Sequence, residues 1–197
     1  KASDNVILLG TSGDGVWQAQ FSDGTLSFDK IKPINKVDAT LSKVSSIYVD
    51  SKHRAWISTN DNGIWCMDKM SETKSFSSIK LGIPKSVGTC FYPCGKDNLL
   101  LGTDGAGLIL LDANNNVLKR WTVNDGLPSN NVLDIEKYQN GFILSFWGGN
   151  PVCLTLEDDK LTPIVTNKLA TPSNTVKDIL KMKDGAYLLS TGGYGVY

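Results

Sequence analysis

The chain has 197 residues, 41% hydrophobic and 20% charged, which is enough apolar material for a substantial core and excludes a disordered chain. Twenty basic and twenty acidic residues give a net charge of zero without any Lys/Arg cluster, so we expect no nucleic-acid partner and no membrane insertion. No apolar run approaches the roughly 18 to 20 residues of a membrane span, and the first residues are not a signal peptide, so any targeting segment should lie outside this sequence.

Short apolar runs alternate with turns rich in Gly, Asp and Asn, and this pattern predicts eighteen β-strands. The first three strands are Val6–Leu9, Val16–Phe21 and Thr25–Ile31. Three groups of four follow: Val44–Val49, Ala55–Ser58, Ile64–Met67 and Ser75–Lys80; Val87–Tyr92, Leu99–Gly102, Leu108–Leu111 and Val117–Trp121; Val132–Tyr138, Phe142–Phe146, Val152–Leu156 and Leu161–Val165. The last three are Val176–Met182, Tyr187–Ser190 and Gly195–Tyr197.

The stretch Leu99–Asp112 consists of two apolar runs joined by a tight turn, and variants of it recur five times. Within it, Gly105 and Gly107 can take the positive φ values of a compact reversal. Each copy can be aligned without gaps on the small residue that ends its first run, which we call the anchor: Gly10, Ser58, Gly102, Ser145 and Ser190. The anchors are 48, 44, 43 and 45 residues apart, and four of the five copies have Thr one position later and Gly five positions later.

A period in the forties that is built from strands and turns is typical of propeller blades. The sequence therefore predicts an all-β, partial β-propeller of four-stranded antiparallel blades, with three full blades and two incomplete ones. These would form a single domain with blade units of about 1–36, 37–81, 82–124, 125–168 and 169–197. Because both end units contain strands two and three, they cannot merge into one blade. We expect an open arc with uncovered apolar flanks, which would favour a homodimer or require missing blades.

The connector to the next blade and the turn between strands two and three should emerge on the same face of a four-stranded blade. The fourth unit breaks the repeat there at Phe146–Pro151, and Trp147 replaces the small or polar residues of the other copies. An exposed aromatic on this rim could stack on a sugar ring, or equally cover the edge of the next blade. The predicted ligand-binding residues are Asp104, Asn130, Trp147, Gly148, Asn150 and Tyr194. In contrast, Trp56 occupies an apolar strand position and should be buried.

The sequence gives little support for catalysis, phosphate binding or metal binding. The only histidine, His53, falls in a turn, which does not suit a catalytic base. The Gly102–Gly107 stretch has no following Lys and opens a strand, unlike a phosphate-binding loop. Asn60–Gly63 lacks the remaining ligands of a calcium loop, and no pair of carboxylates suggests a glycosidase. We therefore predict no catalytic residue, no metal and no cofactor.

Four cysteines follow no zinc-binding spacing. The repeat places Cys66 and Cys153 where another copy has Leu110, so both should be buried as small apolar residues. Cys90 likewise falls where other copies have isoleucine. A Cys90–Cys94 disulfide stays open as an alternative in an oxidising compartment.

The segment Asn124–Ile135, followed by Gly141 and the small-Thr-x-x-x-Gly hairpins, resembles the two-component regulator propeller repeat. Ala55–Thr59 and Asn62–Ile64 also match that pattern, whereas Phe146–Pro151 departs from it. The resemblance covers nearly the whole chain. It implies a periplasmic sensor region of a hybrid two-component histidine kinase of Bacteroidetes, with further blades, a β-sandwich, a membrane helix and kinase domains as partners in the same protein.

From this resemblance we expect a ligand-sensing segment, for a glycan or oligosaccharide, that is not itself an enzyme. Two other classes stay open. One is a propeller enzyme that acts on polysaccharide, a lyase or a glycoside hydrolase. The other is a structural platform without a ligand of its own, which sets the geometry of a dimer. Turnover of glycans would favour the enzyme, and binding without turnover would favour the sensor.

Overall fold

The predicted apolar runs form strands that pair only with neighbours in the chain, in five antiparallel sheets. The computed structural model describes residues 6–30, 41–68, 75–82, 87–95, 97–157, 160–163, 171 and 175–197. Residues 1–88 and 89–197 form two compact units. No helix in these described ranges is both long and apolar enough to span a membrane.

Two sheets lie in the first unit, and their strands follow one another in chain order. Sheet 1 consists of β1 (Val6–Gly10), β2 (Val16–Ser22) and β3 (Thr25–Lys30). Sheet 2 consists of β4 (Val44–Val49), β5 (Ala55–Thr59), β6 (Gly63–Asp68) and β7 (Ser75–Ile79).

Three further sheets follow, of which the first begins at the end of the first unit and the others lie in the second. Sheet 3 consists of β8 (Val87–Cys94), β9 (Asn98–Asp104), β10 (Leu108–Leu111) and β11 (Val117–Trp121). Sheet 4 consists of β12 (Val132–Tyr138), β13 (Gly141–Phe146), β14 (Gly149–Glu157) and β15 (Lys160–Pro163). Sheet 5 consists of β16 (Val176–Lys181), β17 (Tyr187–Thr191) and β18 (Gly195–Val196).

The Thr that follows the anchor closes the hairpin in four of the five sheets. In sheet 3, Thr103 Oγ1 donates to the Gly107 carbonyl at 2.7 Å and accepts from the Ala106 N–H at 3.1 Å. Equivalent hydroxyl-to-carbonyl bonds of 2.9 Å are made by Thr11, Thr59 and Thr191. The accepting Gly has a positive φ each time, +81° at Gly107, so the repeat keeps Gly where a side chain would be strained.

Side chains alternate between two apolar faces of each sheet, because successive residues of a strand point to opposite sides. We call the face that carries the residue two before the anchor the forward face. The back face carries the residues one and three before the anchor. In the first unit, Leu8 on the forward face of sheet 1 packs in one cluster with Ala55 and Ile57 on the back face of sheet 2.

The same packing recurs twice in the second unit. Leu100 on the forward face of sheet 3 lies in one cluster with Leu144 on the back face of sheet 4. Ile143 on the forward face of sheet 4 lies in another cluster with Leu189 on the back face of sheet 5. Within each unit, neighbouring sheets thus pack forward face to back face.

All eighteen predicted strands are present in the described residues, and most differences concern their ends. For example, β14 begins at Gly149 instead of Val152. The predicted ends at Ile31 and Val165 lie outside the described residues. A short 3-10 helix, Val123–Asp125, was not predicted from the sequence, although Thr122 and Asp125 form a capping box there. The division of the chain into five units of one domain stays a prediction.

The predictions that single residues are buried in the core are confirmed. Trp56, Cys66 and Cys153 are buried as expected, and His53 lies exposed in a turn with a φ of +60°. None of the four cysteines forms a disulfide, so the alternative of a Cys90–Cys94 disulfide is not realised. Burial, with a smaller effect of the nearby Asp134 carboxylate, raises the pKa of the Cys90 thiol to about 12. This thiol therefore stays protonated and unreactive at neutral pH.

Candidate functional site

The connector before sheet 4 lies across two hairpins of the second unit. The Asn130 carbonyl accepts hydrogen bonds from the N–H groups of Gly105, at 3.2 Å, and Gly107, at 2.8 Å, in the hairpin of sheet 3. The next carbonyl, of Asn131, accepts from the Trp147 N–H in the hairpin of sheet 4 at 2.9 Å. Connector and hairpins therefore share one rim, as the alternation of strand directions predicts.

The connector is also braced internally. Asp125 Oδ2 accepts from the Thr122 N–H at 2.9 Å and from Thr122 Oγ1 at 3.0 Å, which caps the 3-10 helix. Asn130 Oδ1 accepts from the Val123 N–H at 2.9 Å, and Leu127 is buried in the cluster between sheets 3 and 4. The amide oxygen of Asn130, a predicted ligand contact, is thus used to hold the connector in place.

The hairpin of sheet 4 differs from the other four. Phe146 replaces the closing Thr and is fully buried, and it pairs directly with Gly149, which leaves a two-residue turn of Trp147 and Gly148. The register shifts just before this pair, so that β14 bulges at Asn150 and Pro151. The gap-free alignment, which placed Asn150 in the position of Gly107, is therefore wrong here. Proline cannot donate to a strand ladder, and a bulge accommodates it.

Trp147 is 57% exposed, although its backbone is held on both sides. Its own N–H bonds to the Asn131 carbonyl, and the Gly148 N–H donates to Thr175 Oγ1 at 3.3 Å. Gly149 lies so close to the connector that an added Cβ would be 2.8 Å from the Cβ of Pro128. Thr175 was not predicted as part of the site, because no local pattern marks a partner that follows 27 residues later.

The other predicted site residues lie along the same rim of the second unit. Asp104 is exposed at the end of β9, directly before the turn that bonds to Asn130, and Asn150 is exposed on the bulge of β14. Tyr194 is exposed in the hairpin of sheet 5, where its N–H donates to Thr191 Oγ1 at 3.2 Å. Three consecutive hairpins and one connector thus carry all six residues.

One acidic side chain behind this rim, that of Asp134, has a raised pKa. Asp134 on β12 accepts a hydrogen bond through Oδ2 from the Ile179 N–H of β16 at 2.7 Å. Burial, helped by the neighbouring Asp178 carboxylate, raises the pKa of Asp134 to about 6, although the bond from Ile179 favours the ionised form. The carboxyl links sheets 4 and 5 and takes no part in the exposed rim.

The rim combines an exposed indole with amide, hydroxyl and backbone groups. Such a surface suits a neutral ligand that stacks on an aromatic ring and forms hydrogen bonds around it. Among the residues that the structure describes, no group of three or more His, Cys, Asp or Glu could hold a metal ion.

Neither a family model nor a curated protein matches the chain in sequence. Among solved structures, a chain named as the extracellular domain of the hybrid two-component system BT3049 from B. thetaiotaomicron is 22% identical with a TM-score of 0.77, and the match covers 98% of this chain and 25% of that one. The corresponding domain of BT4673 from the same organism is 15% identical with a TM-score of 0.75, over 98% of this chain and 28% of that one.

The WD40 β-propeller domain of Doa1 is also similar, at 15% identity and a TM-score of 0.68, over 98% of this chain and 60% of that one. This chain spans about a quarter of the length of the two B. thetaiotaomicron domains. Both of those domains are named as parts of the class of sensor that the sequence resembles. At these identities the matches show the fold, and they confirm the predicted β-propeller of antiparallel blades.

Proposed function

We propose that this chain is a segment of the periplasmic propeller of a hybrid two-component sensor, and that it binds an oligosaccharide on the rim around Trp147. In this proposal, the ligand changes the activity of a histidine kinase that belongs to the same protein beyond this segment. The segment itself binds without turnover. The sensor role is supported by the sequence resemblance and by the likeness to extracellular domains named as parts of such systems.

The exposed Trp147 indole carries the proposal for the ligand. The turn that presents it is held through its backbone by Asn131 and Thr175, so the ring is available on a rigid support. Rigid aromatic rings bind sugars well because the apolar face of a pyranose stacks on them at little entropic cost. The exposed Asn150 amide and Asp104 carboxylate lie on the same rim, where they can accept or donate hydrogen bonds to hydroxyl groups.

Calorimetric titration of the chain with a panel of plant and host oligosaccharides of defined linkage tests the ligand. We expect at least one to bind, and Trp147→Ala to weaken that binding by roughly 1 to 3 kcal/mol. Trp147→Phe retains a ring and should lose less. Leu118→Ala, at an exposed leucine of β11, serves as a matched surface control and should bind like the parent.

Two results would contradict the proposal in different ways. Equal affinity of the parent and Trp147→Ala for a bound oligosaccharide would remove the indole from the site but leave a glycan sensor. Release of new reducing ends from the same panel by the parent would replace the sensor with an enzyme.

A further inference from the structure

The first strands of neighbouring sheets in the second unit are linked by polar side chains. Thr89 Oγ1 on β8 donates to the Val132 carbonyl of β12, and Asp134 Oδ2 on β12 accepts from the Ile179 N–H of β16 at 2.7 Å. Thr89 and Asp134 occupy the same position of the repeat, two residues after the valine that opens each strand. The link between sheets 4 and 5 is therefore made by a carboxyl group, whereas the link between sheets 3 and 4 is made by a neutral hydroxyl.

A second carboxyl group lies against Asp134. Asp178 on β16 forms a side-chain hydrogen bond with it, and such a bond between two carboxyl groups requires one proton between them. From β8, the Cys90 thiol also faces Asp134, and this thiol stays neutral. The Lys177 side chain of β16 packs beside Gly192 in the hairpin of sheet 5. Since neither Asp178 nor Cys90 carries a positive charge, loss of the proton leaves two carboxylates that repel each other.

A buried hydroxyl provides Asp134 with an alternative partner. Ser145, the anchor of sheet 4, pairs directly with Asp134 across β13 and β12, so the two side chains lie on the same face with their Cβ atoms about 5 Å apart. Ser145 is fully buried, and its Oγ has no hydrogen-bond partner among the described residues. In sheet 2, by contrast, the anchor Ser58 accepts from the Gly88 N–H at 2.7 Å. The Ser145 hydroxyl is thus a donor that an ionised Asp134 can use.

We propose that Asp134 and Asp178 form a proton-dependent contact between sheets 4 and 5, which sets the position of the Trp147 hairpin. With the proton in place, the two carboxyl groups hold β16 against β12. When the proton leaves to solvent, Asp178 repels Asp134, whose carboxylate turns to the Ser145 hydroxyl instead. Each protonation state offers Asp134 a hydrogen bond, so the side chain has two discrete arrangements and not a continuous range.

The contact reaches the rim through the residue that precedes β16. The Oγ1 of Thr175 accepts from the Gly148 N–H, and its carbonyl accepts from the Gly192 N–H at 3.0 Å. At 3.3 Å the bond from Gly148 is longer than most hydrogen bonds of its kind, so a small displacement of β16 breaks it. Because Trp147 and Gly148 form the turn of sheet 4, that displacement changes the surroundings of the indole.

The test follows the indole itself and needs no oligosaccharide. Fluorine NMR of the chain labelled with 5-fluorotryptophan gives a resonance for each of the five tryptophans, and Trp147→Phe identifies that of Trp147. Because the pKa of Asp134 is raised to about 6, we expect this resonance to shift as the pH rises from about 5 to about 7. The resonance of Trp56, which is buried in sheet 2, should stay unchanged and serves as the reference.

Three variants separate this contact from other causes of a shift. Asp134→Asn keeps an acceptor for Ile179 and a donor for Asp178 without a titrating proton, so the Trp147 resonance should stay at the parent's low-pH position throughout. Ser145→Ala removes the donor for the ionised carboxylate and should raise the midpoint of the shift by about 1 pH unit. Asp104→Asn, at an exposed acid of the same rim, should behave like the parent.

A Trp147 resonance that does not shift over this range would overturn the proposal, because the hairpin then does not follow the contact. A shift that persists in Asp134→Asn would overturn it as well, since another group must then titrate. An unchanged midpoint in Ser145→Ala would overturn the alternative arrangement of the carboxylate. If circular dichroism shows that Asp134→Asn does not fold, Asp178→Asn takes its place and should also abolish the shift. None of these results depends on whether the rim binds an oligosaccharide.

Discussion

The hairpins of sheets 3 and 4 occupy the same position of the repeat but are held in different ways. In sheet 3, the Thr103 hydroxyl bonds to two backbone groups within the turn, and Gly107 closes the turn with a φ of +81°. In sheet 4, Phe146 takes the place of Thr103 and is buried, so no hydroxyl is available. Both hairpins also bond to residues outside them, the hairpin of sheet 3 to Asn130 and the hairpin of sheet 4 to Asn131 and Thr175, so the Thr hydroxyl is what distinguishes them.

This difference explains how a repeat that is built for stability can present an exposed aromatic side chain. A turn that holds itself together must use its side chains on its own backbone, as Thr103 does. A turn without this hydroxyl, such as the turn of sheet 4, is held through its backbone and leaves its side chains available for another purpose. The replacement of small and polar residues by Trp147 is therefore tolerated in sheet 4, and variants of the two hairpins should differ in how much stability they lose.

The largest effect should come from the turn of sheet 3. An added Cβ at Gly107 would overlap the Trp121 carbonyl oxygen in addition to straining a positive φ, so Gly107→Ala should lower the free energy of unfolding by about 3 to 5 kcal/mol. Gly63 has a φ of +74° with no atom within 4 Å of an added Cβ, so Gly63→Ala should lose only about 1 to 2 kcal/mol. Urea unfolding of both variants provides the comparison, and equal losses would show that the overlap is relieved without cost.

Replacing Phe146 in sheet 4 by the Thr of the other copies should destabilise the protein. Phe146 fills the core between sheets 3 and 4, so Phe146→Thr should lower the free energy of unfolding by about 3 kcal/mol through the lost burial and the cavity. Phe146→Leu keeps most of the volume and should lose less than half of that. If Phe146→Thr is as stable as the parent in urea titrations, the new hydroxyl must form in sheet 4 the hydrogen bonds that Thr103 forms in sheet 3.

Removal of the Thr103 hydroxyl, which closes the hairpin of sheet 3, should have an intermediate effect on the free energy of unfolding. Thr103→Val keeps the shape but loses both bonds of the hydroxyl, which is buried, so we expect a loss of about 1 to 2 kcal/mol. Thr191→Val removes the same bonds from the exposed hairpin of sheet 5 and should be milder. Thermal unfolding ranks the two, and a milder effect at Thr103 would contradict the role of burial.

The regular part of the molecule was predictable from the sequence because that part repeats. Five copies of one hairpin define the period, and the recurring Thr and Gly indicate the chemistry of the turn. The exposure of Trp147 was predictable for the same reason, since the other copies place polar or small residues there. The β-propeller fold followed from short-range patterns that accumulate along the chain.

The irregular part could not be predicted in the same way. The bulge at Asn150 and Pro151 shifts the register, and a gap-free alignment cannot represent a shift. The bond from Gly148 to Thr175 joins residues of different blade units, and no spacing in the sequence marks it. Asn130 was expected to face a ligand, but the same amide can also brace a connector, and only the fold decides between these two roles.

A second difference between sheets 3 and 4 concerns their first strands, β8 and β12, and predicts that stability depends on pH. Two positions into the strand, sheet 3 has Thr89, whose hydroxyl donates to the Val132 carbonyl at 2.5 Å, whereas sheet 4 has Asp134, which accepts from the Ile179 N–H. The pKa of Asp134 is raised to about 6, above the value of about 4 of an unfolded Asp. The folded state therefore binds this proton more tightly, and stability from Asp134 is lost as the pH rises from about 4 through 6.

Asp134→Asn keeps an acceptor for Ile179 without a charge. Relative to the parent, this variant should gain about 1 to 3 kcal/mol of stability between pH 4 and pH 7 in urea titrations. Asp112→Asn provides a control with another pH window, because hydrogen bonds from Asn116 and Asn114 lower the pKa of Asp112. The stability that depends on this carboxylate is lost as the pH falls below about 4, so between pH 4 and pH 7 the difference between Asp112→Asn and the parent should stay nearly constant. A pH-independent difference for Asp134→Asn would mean that solvent reaches the carboxyl.

The smallest effect on stability should come from Trp147→Ala. The indole is exposed, and the bonds that hold its turn come from backbone atoms that an alanine retains, so we expect the free energy of unfolding to stay within about 0.5 kcal/mol of the parent. If Trp147 instead covered the edge of a neighbouring blade, its removal would lower the unfolding temperature by several degrees, because a large apolar surface would lose its contacts. An unchanged unfolding temperature of the free protein, together with a smaller rise in that temperature when a bound oligosaccharide is added, would assign the side chain to the ligand and not to the fold.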